Sequence, residues 1–192
     1  MLLLSPVVSA AQQQLIILTS FSEPVSQQFK SAFERQYPDI EVRFINKKTS
    51  AALSHLEKGM KPVPDLFMAS AVDAFEWLTE RGLLLPYQAA TATTPPSLPY
   101  VSFAHSGYGL MWNDDYLQRY RLQAPVAWND LLDPGFHGHI GMSSPTRSGT
   151  THVLVETLLQ QRGWDAGWAY WLELAGNLAT VTARSFGVRQ GY

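Results

Sequence analysis

Apolar and polar positions follow two regimes along the chain, short strand-like runs and longer helical stripes. Leu15, Ile16, Ile17 and Leu18 form an unbroken apolar run closed by Thr19 and Ser20, the pattern of a strand buried on both faces of a parallel sheet. Ser22 then offers an N-cap and Pro24 fits a first helical turn. Val25, Phe29, Ala32 and Phe33 recur at helical spacing until Pro38 and Asp39. Residues 40–45 alternate like a strand. Thr49 is placed to cap a second helix carrying Ala52, Leu53 and Leu56 and closed near Gly59. Residues 65–69 read as a third strand, and Ala74, Phe75, Trp77 and Leu78 as a third helix with Gly82 past its end. Three strand–helix pairs in about 70 residues predict a parallel sheet with right-handed crossovers, an α/β fold.

The alternation then breaks and restarts. Residues 86–99 are small, polar and proline-bearing, hence a surface loop. Residues 101–104 and 108–113 read as strands joined through His105, Ser106 and Gly107, and 114–120 as a short helix. Residues 125–134 read as a loop with one helical turn. A strand over 139–143, a helix over 149–161, a second helix over 165–174 and a strand over 178–183 start a second α/β unit. Residues 184–192 look like a loop entering another helix, so this unit is expected to be begun and not finished at Tyr192. No internal repeat of fixed period is present.

Residues 1–8 form a short apolar run followed by Ser9, Ala10, Ala11 and three glutamines. The pairs Val8/Ala10 and Ser9/Ala11 fit a signal-peptidase site, and the run is far shorter than the roughly 20 residues that cross a bilayer. No Lys or Arg precedes it, so a first strand or a frayed terminus is the competing reading. The glutamines leading into the first strand favour an export signal over residues 1–11 that lacks its basic start, and a periplasmic location.

Composition removes several function classes. The 192 residues are 46% hydrophobic and 16% charged, too apolar for a disordered chain. Fourteen Lys and Arg against 16 Asp and Glu leave a net charge of −2, which argues against a nucleic-acid partner held by bulk charge. With no cysteine, disulfides, thiolate metal sites and cysteine catalysis are excluded. No Gly-x-Ser-x-Gly elbow, Walker loop or Gly-x-Gly-x-x-Gly fingerprint occurs, so neither an α/β-hydrolase nor a nucleotide or other cofactor is signalled.

The candidate chemistry sits where open parallel sheets bind ligands, beyond the carboxyl ends of the strands. Thr19, Ser20 and Ser22 follow the first strand and Ser70 the third. Arg147, Ser148, Gly149 and Thr150 lead into the helix of the second unit, and Arg184 and Ser185 follow its last strand. Hydroxyls at helix N-termini, with a glycine allowing close backbone approach and an arginine adding a bidentate grip, make an anion site. Singly, Ser22 or Ser148 reads as a plain N-cap; agreement among several strand ends carries the case. Other groupings are weaker. His137 and His139 lack a third ligand and read as a solvated turn. His152 faces the cleft or packs. Asp114 and Asp115 suit a helix dipole, and Trp164, Trp168, Tyr170 and Trp171 suit a core better than a sugar platform.

On these local sequences the chain resembles the extracellular solute-binding family 1. Residues 15–21, 63–70, 108–113, 144–150 and 180–186 carry the likeness. Within the family it looks like the branch holding iron(III)-binding, hexose-phosphate-binding and phosphoglycerate regulatory proteins. The resemblance runs from about Leu15 to the last residue and covers the first part of the family's length. It implies a two-lobed periplasmic-binding-protein type II fold with an incomplete second lobe: lobe 1 over 12–100, crossover strands over 101–113 and lobe 2 over 114–192. Iron binders of the branch place a His after the first strand and a Glu after the third, where this chain looks to have Ser22 and Ser70. Neutral hydroxyls suit Fe(III) poorly, so the resemblance implies an organic anion, best a phosphate ester, held by Thr19, Ser20, Ser70, Ser148, Gly149, Thr150 and Ser185. Arg147 and Arg184 carry over less directly. The implied role is non-enzymatic: a receptor serving an inner-membrane ABC permease or a sensor kinase. An iron(III) receptor is the alternative within the family. A phosphate-ester hydrolase on the same scaffold is the alternative of another class, and neither a nucleophile nor metal carboxylates are found at the strand ends.

Overall fold

The computed structural model describes residues 13–87, 98–105 and 107–183. The expected export signal, most of the loop before Pro99, Ser106, and the tail with Arg184 and Ser185 lie outside these residues. The apolar run forms β1 (Gln13–Thr19), the central strand of a three-stranded parallel sheet. Its neighbours are β2 (Ile40–Asn46) and β3 (Leu66–Met68), in the order β2-β1-β3. Each strand feeds a helix: α1 (Glu23–Gln36), α2 (Thr49–Glu57) and α3 (Val72–Glu80). Leu18, Val42, Ala52, Ala74 and Leu78 are buried between these layers.

After the short α4 (Asp114–Tyr120) and two 3-10 turns at Trp128–Leu132 and Pro134–Phe136, β4 (Ile140–Ser143) opens the second unit. It is followed by α5 (Gly149–Arg162), α6 (Trp164–Gly176) and β5 (Leu178–Thr182), which pairs parallel to β4. The core here is Leu131, Leu158, Tyr170, Trp171 and Leu174. The buried Asn177 amide donates to the carbonyls of Leu131 (2.8 Å) and Asp133 (3.1 Å), tying the 3-10 turns to the start of β5. The segment between the units is shared: the Phe103 ring packs edge-on against Phe21 and Phe29 of the first, and Leu110 packs on the core of the second.

Four expectations change. Residues 101–113 hold no β-ladder among the described residues, because an extended segment becomes a strand only beside a partner that completes its hydrogen bonds. The apolar stripe of α1 is half-exposed, with Val25 41% and Phe29 43% accessible; periodicity marks a face without saying how much of it is covered. Thr49 is the first helical residue of α2, and Lys48 takes the cap position. The aromatic group divides: Tyr170 and Trp171 are core, while Trp164 and Trp168 pair on the surface at 5.7 Å.

One feature of α1 bears on the sheet edge. Glu34 Oε1 accepts from the Val42 amide (2.8 Å) and from Lys30 Nζ (2.6 Å), and Lys30 also donates to the Val42 carbonyl. Both backbone groups of a residue in the outer strand β2 are thereby occupied, which blunts an edge open to further pairing.

Candidate functional site at the seam between the lobes

Parallel strands send every following helix off the same edge of their sheet. The starts of α1, α2 and α3 therefore gather at the carboxyl ends of β1, β2 and β3. Backbone bonds lace these ends together: Ser20 N–H to the Met68 carbonyl (3.2 Å) and Lys47 N–H to the Thr19 carbonyl (2.9 Å). The start of α5, after β4 of the second unit, comes to the same place. Ser70 Oγ and Thr150 Oγ1 lie 3.0 Å apart across the seam. Gly149 lies so close to α2 and α3 that a Cβ there would stand 2.8 Å from Thr49 Oγ1 and 3.0 Å from Ala71 Cβ. Helix starts present unpaired N–H groups and partial positive charge, and here those of α2, α3 and α5 converge.

The residues named from sequence are placed differently. Thr19 is fully buried; its hydroxyl donates to the Met68 carbonyl (2.9 Å) and accepts from Phe21 N–H (3.1 Å), so it shapes the sheet edge. Ser148 is also buried and caps α5, accepting from the Thr151 amide (3.4 Å) and hydroxyl (3.3 Å). Thr151 bonds in turn to Ser143, so a buried chain of hydroxyls fastens α5 to the end of β4. Ser70, Gly149 and Thr150 lie at the seam itself. Ser20 and Ser22 are half-buried at the end of β1, and Ser22 holds the cap position of α1 without a side-chain cap bond. Arg147 is exposed in the turn before α5, and none of the described seam contacts involves its guanidinium. Arg184 and Ser185 lie outside the described residues.

Three seam residues were not singled out from sequence as ligand groups. Thr49 stands beyond β2, and the strand-end rule reaches it once β2 is treated like its neighbours. Asp73, in the first turn of α3, faces His152 of α5, with Oδ2 3.9 Å from Nε2. Tyr108 is close enough to Asp73 that burial, with that carboxylate adding to it, pushes its phenol above the ordinary value. His139 is used structurally: its Nδ1 bonds the Tyr116 hydroxyl at 2.7 Å. Among the described residues no group of three or more His, Cys, Asp or Glu could hold a metal ion. An apolar groove of about 380 Å³, lined by Leu110, Trp112, Val126 and Trp128 among others, offers no charged side chain.

Comparison with known proteins fits this architecture. The phosphoglycerate transport regulatory protein PgtC of Salmonella typhimurium is 33% identical over 185 residues, which is 93% of this chain and 47% of PgtC. The chain thus spans about half the length of that relative. The periplasmic binding protein P5PA superposes with a TM-score of 0.75 at 23% identity, over 93% of this chain and 60% of that one. AfuA from Actinobacillus pleuropneumoniae, solved with exogenous fructose-6-phosphate bound, superposes with a TM-score of 0.77 at 22% identity and the same coverage. At such identities these two speak for the fold, an α/β periplasmic-binding-protein architecture. Residues 61–189 match the model of the bacterial extracellular solute-binding proteins, and the chain belongs to that family.

Proposed function

We propose that the chain carries the anion-gripping seam of a periplasmic receptor for a small phosphate ester, such as phosphoglycerate or a sugar phosphate. The observation that carries this reading is the convergence of the α2, α3 and α5 starts, with Ser70 and Thr150 facing each other at 3.0 Å. Hydroxyls and helix N–H groups donate to phosphate oxygens without needing a countercharge of their own. In a ligand complex, phosphate oxygens would take the place that each hydroxyl now gives the other. The relative PgtC, whose name ties it to phosphoglycerate transport, and AfuA, solved with a sugar phosphate, support the same class. Fe(III) asks for anionic oxygen or imidazole ligands, and Ser22 and Ser70 supply neither.

In this reading lobe 1 spans 12–100, lobe 2 begins at 114, and residues 101–113 join them. The receptor releases its ligand unchanged to an inner-membrane permease, or reports it to a sensor kinase. Residues 1–11 are removed on export, which N-terminal sequencing of cell-envelope protein tests. The central experiment is titration calorimetry with 3-phosphoglycerate, hexose 6-phosphates and ferric iron. A phosphate ester is expected to bind, and Thr150→Val to weaken it by about 1.5–3 kcal/mol, the loss of a hydrogen bond to a charged group. Binding of iron alone, or release of inorganic phosphate from the ester, would overturn the reading.

A further inference from the structure

We infer that the seam carries a proton-sensitive latch, in which His152 of lobe 2 holds Asp73 of lobe 1 when its ring is charged. The inference rests on the two-lobed fold and is independent of which ligand the seam takes. His152 Nε2 lies 3.9 Å from Asp73 Oδ2 on α3 and 3.2 Å from Glu156 Oε1 on its own helix. Two carboxylates that belong to different lobes thus approach the same ring nitrogen, the nearer of them on the ring's own helix. Tyr108 beside Asp73, and Ser70 and Thr150 at the helix starts, are uncharged near neutral pH. Asp73 Oδ1 is buried with no hydrogen-bond partner, so the carboxylate is held at the seam without full compensation from its own lobe.

The sign follows from charge. Imidazole is the side chain that changes charge between about pH 5 and 8. A neutral ring can donate one N–H to Glu156 and leaves Asp73 facing a second carboxylate across the seam. A charged ring places a cation beside both acids: it faces Glu156 in either arrangement and Asp73 only while the lobes are together. Acid therefore favours the closed seam, and the advantage is absent where the ring is neutral. His152 is about half exposed, with 49% of its side chain accessible, so the pair is worth what exposed ion pairs are worth. That corresponds to a 1.5- to 5-fold change, roughly, in the ratio of closed to open molecules.

A phosphate monoester titrates in the same pH interval, so the test uses the ligand-free protein. The chain has no cysteine, so spin labels can be placed at Gln27→Cys on α1 and Glu173→Cys on α6, both exposed. The inter-label distance distribution is compared at about pH 5.5 and pH 8. The short-distance population is expected to rise in acid by the fold-change above, and both His152→Gln and Asp73→Asn are expected to flatten the response. Circular dichroism establishes that each variant is folded. An unlatched parent, with the same distribution at both pH values, overturns the inference. So does a folded His152→Gln or Asp73→Asn variant that keeps the full response.

Discussion

Gly149→Ala separates the seam from the stability of the lobes. Gly149 opens α5 and is buried against α2 and α3. The added methyl would lie 2.8 Å from Thr49 Oγ1, 3.2 Å from Thr49 Cβ and 3.0 Å from Ala71 Cβ. These approaches fall short of the ordinary 3.5 Å or more by about 0.3–0.7 Å. Turning the Thr49 side chain relieves only the first, because the two Cβ atoms are fixed to helix backbones. The lobes must then move apart by a few tenths of an ångström or the seam must open. Overpacking of this kind costs about 1–3 kcal/mol, and it falls on the closed arrangement alone. Within lobe 2 the change is benign or favourable, since alanine is up to about 1 kcal/mol better than glycine in a helix interior and less than that at its first residue. The expected signature is split: ester affinity falls by about 5- to 150-fold, while the urea midpoint of the ligand-free chain holds or rises. Calorimetry and urea denaturation on the same preparation read both quantities. Unchanged affinity, or a loss of affinity matched by an equal loss of stability, would refute the reasoning.

Two further outcomes test the supports of the site. Thr19→Val removes a hydroxyl that donates to Met68 and accepts from Phe21 in a fully buried position; urea unfolding is expected to show a loss of about 1–3 kcal/mol, and a loss below about 0.5 kcal/mol would count against the role given to it. Glu34 is held below its ordinary value by the hydrogen bond from Lys30 and then by the Val42 amide, so it stabilises the fold above the usual glutamate range, and that contribution is lost as pH falls through the lowered value. Thermal melts of the parent are therefore expected to decline more steeply in acid than those of Glu34→Gln, and parallel declines would refute this.

Much of the fold was legible because its punctuation is local. Prolines and glycines bracket the early elements, and Gly59 and Gly82, at φ 68° and 63°, follow α2 and α3 where the expectation put them. The error at 101–113 has the opposite cause: whether an extended run pairs depends on residues elsewhere in the chain. The candidate site was legible to the extent that strand ends define it, and Ser70, Gly149 and Thr150 do meet at the seam. Sequence could not say which hydroxyls are bonded within the fold, as those of Thr19 and Ser148 are. Asp73 and His152 sit inside the first turns of helices far apart in sequence, so no local pattern announces their meeting.

The brace on β2 has a consequence for how the chain acquires its shape. Lys30 and Glu34 reach Val42 across only 12 and 8 residues, whereas β1 reaches Asp65 and Met68 across 49. Contacts closed over short loops need less entropy and form sooner than distant pairings. The outer rim of the sheet is thus braced at Val42 by contacts much closer in sequence than those that bring the central strand its second partner. A passing copy of the chain that tries to add a strand there meets a rim whose Val42 groups are already taken.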